Sequence, residues 1–204
     1  MPMENFFKIR AEKQKHIITA AFQIFGKQGY KKASLADIAA KAGITKGMIT
    51  YYFASKKALY THLVELSAML LIDSNKAYLD TASADFFEKL ENLLMLQGES
   101  IKEYPGMLAF AVGAFTETDS EALEILKPIR DDNFQWFNKA FMENIDTTLF
   151  KPDIDYKLVC QMAMWAADGF ASEVYMLGDD IDKMEALGET LINGLAEMRK
   201  AFYK

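Results

Sequence analysis

The sequence predicts an all-α protein of about nine helices, and three observations carry that expectation. Apolar residues recur at spacings of three and four along most of the 204 residues. The strict alternation that marks strands is not found. Residues 34–56, SLADIAAKAGITKGMITYYFASK, have the spacing of two short helices joined by a tight turn.

Taken in order, Ile17, Ala20, Ala21, Ile24 and Phe25 give residues 4–28 one apolar face, with Gly26 and Gly29 as stop signals. In the next segment Leu35, Ile38, Ala39 and Ala42 stand at i, i+3, i+4 and i+7, so a short helix there has one buried side. Ser34 is placed to cap it, with Asp37 three residues on adding negative charge to the first turn. Gly43 closes this helix, since glycine readily takes the left-handed conformation. Thr45 caps a second helix over 46–52, too short to be stable alone, so Ile49 and Phe53 must pack on the first. Lys46, Met48, Thr50 and Tyr51 are then left facing outward.

Ser55 caps a fourth helix expected to run to about residue 78. No turn-rich linker follows it, so this helix is a candidate mechanical link between the two parts of the chain. A fifth helix over 83–103 ends at Tyr104-Pro105-Gly106, and a short, very apolar sixth covers 108–115. The seventh, over 120–145, carries Pro128 as a source of a kink and places Phe134, Phe137 and Phe141 on one face. Two last helices, 155–177 and 181–202, flank Gly178-Asp179-Asp180. In the second of them Ile181, Met184, Gly188, Leu191, Leu195, Met198 and Phe202 form a seam suited to helix packing.

Charge divides the chain. The formal net charge is −6, yet residues 1–62 hold eleven lysines and arginines against three acidic residues, +8, which leaves −14 for the rest. A basic segment joined to an acidic body is the pattern of a nucleic-acid-binding part attached to one that does not bind it. Lys46, Lys56 and Lys57 also sit in the first turns of predicted helices, where the dipole disfavours cations. An anion docking there would relieve the conflict.

Other chemistries have little footing. His16 and His62 are far apart in sequence, and the His62–Glu65 pair lacks the second helix of ligands that a metal bundle needs. Cys160 lies among apolar residues and reads as core, while a lone cysteine fits a reducing compartment, the cytoplasm. No glycine-rich phosphate loop or nucleophile elbow is present. An enzyme, a metal and a cofactor are therefore not expected. The longest apolar run, 107–115, is too short for a membrane span, and the first fifteen residues lack the apolar core of a signal peptide. A small-molecule site is better supported, because Phe110, Phe115, Phe134, Phe137, Met162 and Trp165 supply adaptable aromatic and thioether surface. Glu117, Asp168 and Glu173 interrupt apolar stretches and could meet a ligand's cation or hydroxyl.

The stretch GKQGYKKASLADIAAKAGITKGMITYYFASKKALY resembles the N-terminal DNA-binding domain of TetR-type transcriptional regulators, and the resemblance covers residues 17–63. It implies a helix-turn-helix DNA-binding domain over 1–54 and a helical ligand-binding and dimerisation domain over 55–204. It further implies a homodimer, formed through about 155–202, that represses from a near-palindromic operator and is released by a small apolar or amphipathic effector. Matched to the family pattern, Lys46, Gly47, Met48 and Thr50 would face base edges, and Ser34, Thr45, Tyr51, Tyr52 and Lys56 would hold phosphates. The alternative is an all-α binding module or sensor that does not use DNA.

Overall fold

The computed structural model describes residues 2–73, 76, 84–139, 141, 144–177 and 180–204. Among them the chain is helical, and the sole strand-like pairing is a bridge between Phe150 and Tyr203. The α-helices are α1 Pro2–Phe7, α2 Ala11–Lys32, α3 Leu35–Lys41, α4 Lys46–Phe53, α5 Lys56–Ala68, α6 Phe86–Glu103, α7 Met107–Thr116, α8 Ser120–Asn138, α9 Tyr156–Leu177 and α10 Ile181–Phe202. Two compact units result. One combines Met1–Met69 with Ile101–Ile129, and the other combines Leu70–Ser100 with Arg130–Lys204.

In the first unit α2 is the central column. It buries Ile17, Ala21, Phe22 and Phe25 and packs on α3 and α5, which bury Ile38, Leu59 and Leu63, while α4 buries Ile49 and Phe53 and is held by α1 and α3. On its other flank lies α7, whose Phe110 meets Phe22 edge-on at 5.2 Å and Tyr60 of α5 at 5.2 Å. The expected stop at Gly26 does not occur. A Cβ there would come within 3.0 Å of the Phe110 backbone nitrogen, so Gly26 serves a close crossing of α2 and α7 instead. The first helix is also two helices. Residues 2–7 turn off as α1, and Phe6 is buried against Tyr52 and Phe53 of α4 and His62 of α5.

The second unit is built on Phe86, Phe87, Leu90, Phe141, Phe150, Val159, Cys160, Ala163 and Leu195, with α9 packed on α10. Cys160 is fully buried, and burial pushes its thiol up to about 12, so it behaves as a core side chain. Buried Asp85 ties the ends of this unit together. It accepts from Tyr203 Oη at 2.9 Å and Arg199 Nη2 at 2.5 Å, and its other role is to cap α6 through the Glu88 amide at 3.2 Å.

Two expected lengths change. The α-geometry of α5 ends at Ala68 and gives way to a π-helical turn, Met69–Asp73. Continuation to 78 and the start of the fifth helix at 83 lie outside the described residues. The seventh helix passes through Pro128 without stopping but is α-helical only to Asn138. Among the described residues no helix is long and apolar enough to cross a membrane, and no cluster of three metal-ligating side chains occurs.

Candidate nucleic-acid interface

The helix-turn-helix is assembled by contacts that its own residues make. Ser34 Oγ accepts from the Asp37 amide at 3.1 Å and donates to Asp37 Oδ2 at 2.7 Å, a closed cap on α3. Gly43, at φ 64°, turns the chain after Lys41, where any side chain would be strained. Thr45 Oγ1 then accepts from the Met48 amide at 3.3 Å and starts α4. Ile49, Tyr52 and Phe53 face inward from α4. Lys46, Gly47, Thr50 and Tyr51 face outward, with Tyr51 60% exposed and Met48 partly covered. The Thr50 hydroxyl donates to the Lys46 carbonyl at 3.1 Å, leaving its oxygen lone pairs outward.

Basic residues frame this face. Lys31, Lys32, Lys41 and Lys46 are exposed, and none has an ion pair among the described residues. Lys57, by contrast, is drawn to Glu124 at 3.2 Å and Glu121 at 3.9 Å, and Lys15 to Glu103 at 3.5 Å. Acidic residues of the 101–129 segment thus offset part of the N-terminal charge and leave the helix-turn-helix lysines uncompensated.

Two of the residues assigned to phosphates are placed differently. Tyr52 is only 5% exposed, with its ring against Phe6, so it buttresses α4 from behind. Lys56 turns inward as well. Its Nζ donates to the carbonyls of Tyr30 at 2.9 Å and Ala33 at 3.4 Å and lies 4.4 Å over the Tyr30 ring. The conflict between Lys56 and the dipole of α5 is relieved by the carbonyl end of α2, where a cation is favoured.

Glu117, between α7 and α8, has a role different from the ligand contact its sequence position suggested. Its carboxylate accepts the backbone N–H groups of Tyr30 at 2.9 Å, Thr118 at 2.8 Å and Asp119 at 2.9 Å. Burial alone would raise its carboxyl, but these three donors outweigh burial and hold it below the usual carboxylate range. The Tyr30 amide is available because Gly29, at φ 69° and ψ 172°, kinks the end of α2 just before the helix-turn-helix. The Tyr30 hydroxyl in turn donates to Glu121, and burial followed by that carboxylate pushes its ionisation up. Glu117 is therefore occupied within the protein, which corrects its assignment to a ligand. Asp168 and Glu173 are exposed on α9.

The six residues expected to line a small-molecule site are not brought together. Phe110 is 3% exposed in the core of the first unit. Met162 and Trp165 stand exposed on α9 of the second. Burial by α2 and α5 claims the first, and the others lie on an outward helix face. The side chains of Phe115, Phe134 and Phe137 lie outside the described residues.

Comparison with known proteins agrees with this construction. The family model described as "Bacterial regulatory proteins, tetR family" matches residues 17–63. The transcriptional regulator AcrR of Shigella flexneri is 39% identical over 56 residues, 28% of this chain and 26% of AcrR, so that match spans about a quarter of the relative. The transcriptional repressor KstR2 of Mycolicibacterium smegmatis is 24% identical over 150 residues, 73% of each chain. The solved structure of the ketosteroid transcriptional regulator KstR2 of Mycobacterium tuberculosis superposes with a TM-score of 0.64 at 17% identity, covering 97% of both chains. The relatives found are regulators of transcription rather than enzymes. With the helix-turn-helix in place, residues 17–63 match the N-terminal domain of the tetR family of bacterial regulatory proteins, and the chain as a whole shares its fold with solved regulators of that kind.

Proposed function

We propose that this protein is a homodimeric repressor that acts in the cytoplasm, binds a near-palindromic DNA operator and is released from it by a small apolar or amphipathic molecule. The observation that carries the DNA reading is the two-sided character of α4. Its inner side is locked by Ile49, Tyr52 and Phe53, and its outer side offers Lys46, Gly47, Thr50 and Tyr51 beside three further exposed lysines, Lys31, Lys32 and Lys41, none of which has an ion pair among the described residues. A helix so presented fits the major groove. There Lys46 suits guanine, Thr50 offers a hydroxyl and Met48 an apolar contact to a thymine methyl. Ser34, Thr45 and Tyr51 stand where backbone phosphates would pass, while Lys56 and Tyr52 support the helix.

Dimerisation is supported by α9, which exposes Leu158, Met162, Trp165 and Met176. At 100° per residue these four fall within about 60° of one another around the helix. Trp165 is 58% exposed and Met176 78%, an apolar stripe of the kind that a second subunit covers. In this reading 1–54 is the DNA-binding part, 55–204 the ligand-binding and dimerisation part, and 155–202 the subunit interface. The name of KstR2 as a ketosteroid regulator favours an effector with a substantial apolar body.

Selection of bound duplexes from a random pool at fixed, stated salt tests the proposal. Recovery of a two-fold symmetric sequence with half-sites about one helical turn apart is expected. Recovery of salt-sensitive but sequence-blind binding would overturn it.

A further inference from the structure

Arg130 lies on the part of α8 that belongs to the second unit, one turn beyond buried Leu126 and on the same side of the helix. Its Nε and Nη2 are shut off from solvent, and neither has a hydrogen-bond partner among the described residues. No carboxylate among the described residues forms an ion pair with it. Charged donors buried without acceptors are strongly destabilising, and native proteins keep them where an ordered water, an ion or a ligand completes them.

Three other inward-facing cations among the described residues are provided for. Lys89 donates to the Asn144 carbonyl at 3.1 Å, Arg199 meets Asp85 at 2.5 Å, and Lys56 has two carbonyls. Arg130 is not, although leucine or methionine at this position would simply have continued the apolar stripe of Ala122 and Leu126. The two orphaned nitrogens are also adjacent. They form the one edge of the guanidinium, Nε with the terminal nitrogen beside it, that grips two oxygens of a carboxylate or phosphate at once. A water could satisfy part of this edge but would leave the charge uncompensated.

We propose that Arg130 anchors an oxyanion on the effector, so that the effector is an amphipathic acid, with a carboxylate or phosphate at one end and an apolar body at the other. This rests on the effector reading given above and narrows it from any apolar molecule to an acidic one.

The test uses the full-length protein and two fluorescent probes of similar apolar body, anilinonaphthalene sulfonate, which is anionic, and phenylnaphthylamine, which is neutral. The wild type is expected to bind the anionic probe roughly tenfold or more tightly than the neutral one. Arg130→Met should keep the neutral probe's affinity, lose the preference, and melt at or above the wild-type temperature, because it removes unmatched donors. Arg130→Lys should retain part of the preference. Decanoate and decyl phosphate should displace the anionic probe from the wild type where decanol does not, and the better competitor tells carboxylate from phosphate. An anion preference that survives in Arg130→Met overturns the proposal, as does a sharp fall in that variant's melting temperature, which would reveal an intramolecular role. If the neutral probe binds and no anion preference exists, the anchor alone is wrong. If neither probe binds a protein that still selects an operator, the effector reading fails and the anchor with it.

Discussion

The two units of this protein treat their polar and apolar groups in opposite ways. In the first, Glu117 matches three backbone donors, Lys56 two carbonyls, and the Tyr30 hydroxyl a carboxylate, while Phe6 and Tyr52 close the back of α4. In the second, the Asp85 hub is equally well satisfied, yet α9 leaves an apolar stripe in solvent and α8 leaves a guanidinium edge buried and unmatched. On the function proposed above, the contrast corresponds to two tasks. A helix that reads DNA must hold its geometry before the partner arrives, so its supporting groups are satisfied internally. A unit that associates and senses keeps groups in reserve for molecules that complete it.

The largest expected effect breaks the second half of that contrast. Trp165→Glu places a charge in the middle of the α9 stripe, and sedimentation should then show a monomer with operator affinity reduced at least a hundredfold, since each half-site is bound alone. A dimer that persists would mean that the stripe is covered by something other than a second copy. Next, Glu117→Ala leaves the Tyr30 amide without its acceptor and should cost about 1–3 kcal/mol in urea unfolding. A loss below about 0.5 kcal/mol, the usual range for surface changes, would show that the clamp is not what holds the end of α2.

A smaller effect separates lysines that support from lysines that contact. Lys46→Ala should lower the salt dependence of operator binding by about one unit, as for one lost phosphate or base-edge cation. Lys56→Met should leave that slope unchanged and lower the unfolding midpoint instead, because its ammonium is spent on carbonyls. A flattened slope in Lys56→Met would restore Lys56 to the DNA surface.

His62 offers a pH readout of the same support. It sits about 6.0 Å from the rings of Phe6 and Phe53, and burial lowers its pKa from the ordinary 6.5, with Glu65 opposing. The unfolded chain therefore takes up the proton first as pH falls, and stability should decline from about pH 7 downward until the folded site is also protonated. His62→Phe should remove that part of the acid sensitivity, as thermal melts between pH 7 and pH 5 would show.

The smallest effect concerns the turn after α4. Ala54 has φ 62° and ψ −45°, and the Ser55 amide reaches back to the Phe53 carbonyl at 2.7 Å, a strained three-residue turn with positive φ at an alanine. Ala54→Gly should relieve roughly 0.5–1 kcal/mol of strain. An unchanged or lower melting temperature would show that the conformation carries no strain in the native protein.

The fold class and the placement of most helices were legible because they depend on neighbours. Ser34, Thr45 and Ser55 each accept a backbone amide three residues on, and Gly43 turns the chain by its own freedom, so no distant residue need be known to find them. Periodicity likewise located α9 and α10 to within a residue or so. The same local logic misassigned Lys56. Its position in the first turn of α5 was read as a poor one awaiting an anion, whereas the relief comes from carbonyls 23 and 26 residues away. The aromatic inventory failed for a related reason, since composition says that apolar surface is plentiful but not which element claims it. Phe110 is claimed by α2 and α5.

Residue order by itself determined the all-α class, the helix-turn-helix, its caps and the basic character of the N-terminal part, because caps, turns and helical periodicity are contacts between residues three or four apart. Tertiary structure alone decided that Phe6 and Tyr52 brace α4, that Glu117 clamps Tyr30 across 87 residues, that acidic groups of 101–129 pair with Lys15 and Lys57, and that Arg130 is left with a buried, unmatched edge. Those outcomes turn on which side chains packing encloses together, and enclosure depends on elements far apart in the chain.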